Sequence, residues 1–299
     1  MPHKMRILTP RPNVLAFYDG RVEGYRNADG ANWIDDGALS LGIASYAIVD
    51  DGEALVYDTH VTLEHAAFIR RTLEGMGARR ITVVLSHWHL DHIAGNAVFA
   101  DCPIISCSQT AKHLERHKQA IETGIQDGPP AISPLVLPTG TFHGRMTIMV
   151  GRVPVELIAF NIHSDDATVL WLAQDRLLLA GDTLEDTVTY VAEPENLELH
   201  LVDLERMAGL APLRILPCHG DAERIASGGY GPDFIPATAQ YIEALLKMKS
   251  EPAMRSTPLR ELIAGPLASG ALTYCAGYEA VHQGNVALVC GTPDTKNLA

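Results

Sequence analysis

A strand that delivers a packed run of metal-binding side chains constrains this chain most. Ile81-Thr-Val-Val-Leu85 is apolar and β-branched, which reads as a buried strand. It is followed at once by Ser86-His-Trp-His-Leu-Asp-His92. Three imidazoles and a carboxylate thus fall within six residues. In an extended segment, residues two apart point the same way, so His87 and His89 can hold one ion while Asp91 and His92 reach toward a neighbouring one. Imidazole nitrogen and carboxylate oxygen are the donors zinc takes in catalytic sites.

Further polar residues stand at the ends of other expected strands. His163 follows Val155–Phe160, Asp182 follows Leu177–Gly181, and His219 follows Ile215–Cys218. Strand ends along one edge of an α/β layer structure are where reactive side chains gather. The order of elements shows two β-rich halves, roughly 41–107 and 146–217. Strands at 43–49 and 54–57 are joined by a tight turn, and a helix capped by Thr62 carries Leu63, Ala66, Ile69, Leu73 and Met76 on one face. A short helix from about Ala94, a strand at 103–106 and a helix at 109–122 follow. Strands are then expected at 146–150, 154–160, 168–173, 177–180 and 214–216, with helices at 199–208, 235–248 and 258–264. Residues 17–40 read as loop and hairpin rather than core. Gly128–Pro138 is too rich in proline for regular structure and reads as a binding loop or lid.

Ile-His163-Ser-Asp-Asp, Ala-Gly-Asp182-Thr and Pro-Cys-His219-Gly-Asp, taken with the run at 87–92 and the upstream Tyr57-Asp58-Thr59, resemble the metallo-β-lactamase fold superfamily of hydrolases. The resemblance spans about residues 41–221. It implies an α/β fold built as a four-layer αββα sandwich, with a binuclear metal site on one edge. The whole chain, 1–299, is read as a single metallo-hydrolase domain, with 1–40 as an N-terminal loop or hairpin extension and 222–299 as a C-terminal helical part. Carried over by position, His87, His89 and His163 correspond to ligands of a first metal, and Asp91, His92 and His219 to those of a second. Asp182 corresponds to the carboxylate bridging both. The cofactors implied are two divalent ions, Zn2+ by default for this ligand set, with Mn2+ or Fe2+ able to use the same donors. Asp58 is expected to orient a ligand from behind.

The reaction expected from such a cage is attack by a dimetal-bridging hydroxide on a carbonyl or phosphoryl centre, with Asp91 moving a proton to the leaving group. Fold and cage are shared by many chemistries; with nuclease and phosphodiesterase branches disfavoured by the acidic balance, the substrate is read as a small ester, lactone or amide. Lactonases place a Tyr just after the bridging Asp, whereas here Thr183, Leu184 and Glu185 follow. Tyr190 is therefore the candidate catalytic tyrosine, with Tyr230 as a substitute from another loop. A glyoxalase II-type thioesterase and a β-lactamase are the alternatives, and a mononuclear iron thiol dioxygenase is the reading from another class. A metal-binding scaffold without activity is disfavoured, since no ligand of the pattern is missing. Trp33, Ile34, Ile132 and Leu135 are expected to line lids suited to an apolar group.

Composition narrows the partners. The formal net charge is −13, from 36 acidic and 23 basic residues, and no Lys/Arg cluster occurs, so nucleic acid is disfavoured. No apolar run is long enough to span a bilayer, and no signal peptide is read at the start. Five cysteines without a CxxC pair indicate neither a disulfide framework nor a zinc knuckle. The expectation is a cytoplasmic protein acting on a small molecule, with a homodimer compatible with the sequence. His113 and His117 are taken as surface residues, Cys218 as a buried thiol pointing away from the cage, and Gly228–Gly231 as a loop.

Overall fold

The computed structural model describes residues 4–291. The outer ends of the expected N-terminal extension and C-terminal helical part, 1–3 and 292–299, lie outside the described residues. Twelve strands form two sheets. The first holds β1 (Arg6–Arg11), β2 (Val14–Asp19), β3 (Ile43–Asp50), β4 (Glu53–Tyr57), β5 (Arg80–Val84), β6 (Ile104–Cys107) and β7 (Gly140–Phe142), side by side in chain order. Its β1–β4 half is antiparallel, and β4 through β7 run parallel. The second holds β8 (Arg145–Val150), β9 (Val153–Ile162), β10 (Ser164–Leu172), β11 (Leu177–Gly181) and β12 (Arg214–Pro217), again in chain order. Only the β11–β12 pair is parallel there.

The strand sequences explain the layering. β2, β3 and β4 are apolar on both faces, which a strand tolerates only when both faces are covered. Alternate residues of each strand enter different cores. Ala44, Tyr46 and Ile48 face the second sheet together with Leu55 and Tyr57. Ile43, Ala47, Ala54 and Val56 face the helices Leu63–Gly75 and Ser108–Thr123. On the far side of the second sheet lie the helices Leu197–Ala208, Phe234–Ser250 and Tyr278–Cys290, whose buried residues join the inter-sheet core. The result is the expected αββα sandwich.

The N-terminal segment departs from expectation. Residues 14–19 form a strand with every residue buried, paired to β3 along its length, so this hairpin is core sheet rather than an extension. The reading of 17–40 as loop fails over 17–19, where β2 shows no polar alternation to mark it as a strand. Further elements are absent from the sequence reading, among them β7, only three residues long, and the helix 278–290. No helix among the described residues is long and apolar enough to cross a membrane.

The two sheets are stitched at one edge. Tyr46 Oη donates to Pro217 O at 2.5 Å, Tyr57 Oη donates to Thr168 O, and Ala44 N donates to Cys218 O at 2.8 Å. At this edge β4, β5, β11 and β12 end together.

Candidate metal centre

Each candidate ligand is placed by a strand end and a local backbone requirement. Beyond β5 the chain bends at Ser86 and Trp88 and, from an extended His89, enters the short helix Leu90–Ile93, which swings Asp91 and His92 back over the same edge. This helix starts four residues earlier than the sequence suggests. It packs so tightly that a Cβ on Gly95 would lie 2.2 Å from Thr59 O. His163 is the corner residue between β9 and β10, held at φ 72°. Gly181 takes φ +57° just before Asp182, and a Cβ there would meet Tyr57 Oη at 2.7 Å. His219 follows β12 by two residues.

The structure brings all seven residues together. His163 Nε2 lies 3.2 Å from His87 Nε2 and 3.0 Å from His89 Nδ1. His219 Nε2 lies 3.1 Å from Asp91 Oδ2, and His92 Nε2 lies 3.5 Å from it. Between the two triads stands Asp182. Its Oδ2 is 3.7 Å from His87, 3.8 Å from His163, 3.0 Å from His92 and 3.5 Å from His219, measured to Nε2 in each case. The groups His87–His89–His163, His87–His92–Asp182 and Asp91–His92–His219 each keep their donor atoms within 4.8 Å of one another.

Behind the rings, other atoms fix which nitrogen faces inward. His92 Nδ1 is 2.8 Å from Asp58 Oδ2, His219 Nδ1 is 2.9 Å from Gly42 O, and His87 Nδ1 is 2.8 Å from Ser86 Oγ. Asp58 is itself held by the Ser86 N–H at 2.7 Å. A proton satisfying each Nδ1 leaves Nε2 as a lone-pair donor toward the cage. Three nitrogens of His87, His89 and His163 then converge with no acceptor to share, and His92 Nε2 and Asp182 Oδ1 are buried without a hydrogen-bond partner. Uncompensated polar atoms of this kind are costly, and cations set among them would satisfy all of them. The residues therefore fit a pair of divalent metals.

Protonation differs between the two halves. Burial and neighbouring imidazoles hold His87 well below the usual histidine range and bring His89 down to about 3. Burial opposes charge on His219 as well, yet Asp182 and Asp91 push it up to about 9. The same carboxylates, with Asp58, raise His92 against its burial. Asp182 is brought down to about 2 by His92 and His219, although burial alone would raise it. His87 and His89 are thus neutral and ready for a metal, while His163, raised by Glu185 and Asp182 against its burial, and the histidines of the second triad hold protons that a metal must displace.

Several other expectations meet corrections. Cys218 is buried as expected, but its Sγ points to Asp58 Oδ2 at 3.5 Å, beneath the second triad rather than away from it. Burial pushes that thiol well up, so it stays protonated and donates. His113 and His117 are not free surface residues: their rings flank Trp88 at 5.3 and 4.7 Å, and His113 Nε2 pairs with Asp165 at 2.7 Å. Tyr230 is fully buried and donates to Asp186 at 2.7 Å, so it is no substitute for Tyr190. Trp33, Ile34, Ile132 and Leu135 are packed in the outer core, with Trp33 Nε1 donating to Pro130 O at 2.9 Å. His60 and His65, which carried no spacing signal, are buried and stacked at 4.5 Å, with His65 bonded to Asp19.

The Tyr190 ring lies 5.8 Å from that of His163 and 6.2 Å from that of His89. Among the seven cage residues only His89 and Asp91 are half-buried; the rest are buried. The opening therefore lies on their side, next to the half-buried Trp88 and Tyr190. Sequence reasoning missed Glu185, whose Oε1 is 3.2 Å from His163 Nδ1. Its only signal was its place three residues after Asp182.

The family model described as the Metallo-beta-lactamase superfamily matches residues 40–219. The chain belongs to this superfamily. Its members are hydrolytic metalloenzymes that bind divalent ions, and the His/Asp cluster lies within the matched segment or at its last residue. A curated relative is the Beta-lactamase-like protein 2 homolog of Caenorhabditis elegans, 26% identical over 180 residues, or 59% of this chain. The chain spans about half of that protein's length, 52%. Among solved structures, the DIM-1 metallo-beta-lactamase overlays with a TM-score of 0.60 at 16% identity, covering 80% of this chain and 97% of that one. The metallo-beta-lactamase from Pontibacter korlensis gives 0.60 at 15% identity over 80% and 99%. At such identities the overlays establish the fold alone.

Proposed function

We propose that this metallo-beta-lactamase superfamily hydrolase is a binuclear zinc enzyme cleaving a small ester, lactone or amide. The observation that carries the reading is the position of Asp182 Oδ2, within 3.8 Å of four imidazole Nε2 atoms drawn from both triads. His87, His89 and His163 would hold one ion, Asp91, His92 and His219 the other, and Asp182 would touch both. Bound there, two divalent ions supply Lewis acidity toward a carbonyl oxygen and activate water near neutral pH. The chain's own residues do the rest. Asp91, half-buried at the opening, is the carboxylate placed to accept a proton from the attacking water and pass it to the leaving group. Tyr190 is placed to donate to a substrate oxygen, and its hydroxyl is held protonated by burial. Trp88 supplies an apolar wall beside His89. A second triad with all its donors in place favours hydrolysis over single-iron oxygen chemistry. Five unpaired cysteines favour a cytoplasmic location.

The test is a hydrolysis screen over lactones, β-lactams, thioesters and phosphodiesters at fixed zinc, run in parallel on Asp182→Ala. Turnover of an ester, lactone or amide that falls at least 10³-fold in the variant, with two zinc per wild-type chain, is the expected result. Undiminished turnover in Asp182→Ala, or a single bound iron with oxygen uptake, overturns the reading.

A further inference from the structure

Glu185 ties the metal centre to a part of the chain that the superfamily match leaves out. It is buried, 2% exposed, on the loop after Asp182. Oε1 accepts from Tyr190 N at 2.8 Å and lies 3.2 Å from His163 Nδ1. Oε2 accepts from Tyr278 Oη at 3.0 Å. Tyr278 is fully buried and opens the helix 278–290, nearly sixty residues beyond the end of the matched segment. Two turns along the same helix, Asn285 Oδ1 accepts from Val191 N and its Nδ2 donates to Thr189 O, both at 3.0 Å. Thr273 N and Cys275 N, just before the helix, bond Asp186 Oδ1 and Thr187 Oγ1 at 2.7 and 2.9 Å.

His163 needs this support more than the other rings do. His92, His219 and His87 each have a hydrogen-bond partner at Nδ1 supplied by the sheet edge itself. His163 turns on a corner at positive φ, and its Nδ1 is buried with no partner in hydrogen-bond geometry. Glu185 Oε1 is the acceptor at the right distance. A carboxylate there accepts a hydrogen bond from Nδ1–H, fixes the tautomer and leaves Nε2 for a metal. Glutamine at the same place must keep its amide oxygen on the Tyr190 N–H, so it still accepts from Nδ1 but without the charge that raises the basicity of Nε2.

We infer that Glu185, held by Tyr278 of the helix 278–290, is a positioning residue that sets the tautomer and orientation of His163 and so the affinity of one of the two metal positions. The inference rests on the reading of His163 as a ligand. It makes the helix 278–290 part of the metal centre, although none of its residues reaches the cage.

The experiment uses the full chain stripped of metal and titrated with zinc against a chromophoric chelator, for wild type, E185Q, Y278F, H163A and the E185Q/H163A pair. Wild type should take two zinc. E185Q should weaken one by about 10- to 100-fold and leave the other unchanged, with Y278F doing the same more mildly, about 3- to 10-fold. In the H163A background E185Q should add nothing, because the two changes act through one ring. The cobalt-loaded form should lose one set of visible absorption bands in E185Q while the other persists. A role in holding the fold would instead weaken both positions alike and would persist without His163; that outcome, or two zinc at unchanged affinity in both E185Q and Y278F, overturns the inference. A wild type that takes up no zinc overturns both this and the reading of the site as a metal centre.

Discussion

Asp58 offers a way to perturb one metal position without touching a ligand. Its carboxylate is buried, 1% exposed, and divides its work: Oδ1 accepts from Ser86 N at 2.7 Å and Oδ2 faces His92 Nδ1 at 2.8 Å. In Asp58→Asn the amide oxygen must stay on the Ser86 N–H, since the reverse orientation sets donor against donor. The amide N–H2 then faces His92 Nδ1 and can pair only with a bare nitrogen, which drives the imidazole proton to Nε2. That nitrogen is 3.0 Å from Asp182 Oδ2 and is the one a metal needs. A hydrogen bond to a charged group contributes about 1.5–3 kcal/mol, so at about 1.4 kcal/mol per decade zinc at the second position should weaken roughly 10- to 150-fold. The metal-free fold keeps the Ser86 contact but loses the carboxylate beside the protonated His92 and the acceptor of the Cys218 thiol, so it should melt somewhat lower than wild type. Asp58→Ala separates the effects, because it strands the Ser86 N–H and the His92 Nδ1–H in the interior at about 1–3 kcal/mol each. Against a typical total stability of about 5–15 kcal/mol, that variant should melt clearly lower even without metal. Zinc per chain after dialysis against graded chelator, paired with thermal unfolding of the stripped proteins, reads both quantities. A D58N protein that keeps its second zinc at wild-type affinity would refute the tautomer argument.

Two more outcomes can be checked. The Asp165 carboxylate beside His113 raises the His113 pKa, and in return His113 lowers that of Asp165; the pair's stabilisation is full only from above the ordinary Asp range to below the ordinary His range, about pH 4–6.5, and fades as pH rises through the elevated His113 value or falls through the depressed Asp165 value. Asp165→Asn should therefore move the His113 imidazole titration, followed by NMR, downward, and an unmoved titration would show the pair to be unimportant. Gly95→Ala puts a Cβ 2.2 Å from Thr59 O and 2.3 Å from the Ala66 Cβ, an overpacking that should cost about 1–3 kcal/mol or more; a melting temperature equal to wild type would mean that the 90–99 turn is looser than drawn.

How much of this was legible in the sequence depends on where the information sits. The seven cage residues were readable because each follows a strand whose apolar run is itself readable, and a polar residue at a strand end has a known place in an α/β fold. The sandwich was readable from β3, β4, β5, β9 and β11 for the same reason. Strand β2 was not, because burial on both faces erases the alternation that marks a strand, and β1 beside it has only one buried residue. The supports behind the rings were the least legible. Trp88 with His113 and Glu185 with Tyr278 meet across 25 and 93 residues, and no local spacing announces a contact of that length.

The helix 278–290 shows why such residues hide. Its buried positions are Tyr278, His282, Asn285 and Val289, spaced four, three and four apart as a buried helical stripe should be. The period is present, but three of the four residues are polar, so a search for apolar periodicity passes over it. In the folded protein each of those polar atoms has a partner: Tyr278 on Glu185, Asn285 on the 189–191 loop and on Tyr241, and His282 on Tyr241 and Thr257. A helix needing only to cover the sheet would do better with leucine at these places, since each buried polar group gains little beyond the cost of its desolvation. Their presence is accounted for by what they hold, which is the loop that carries Glu185 and Tyr190 to the edge of the cage.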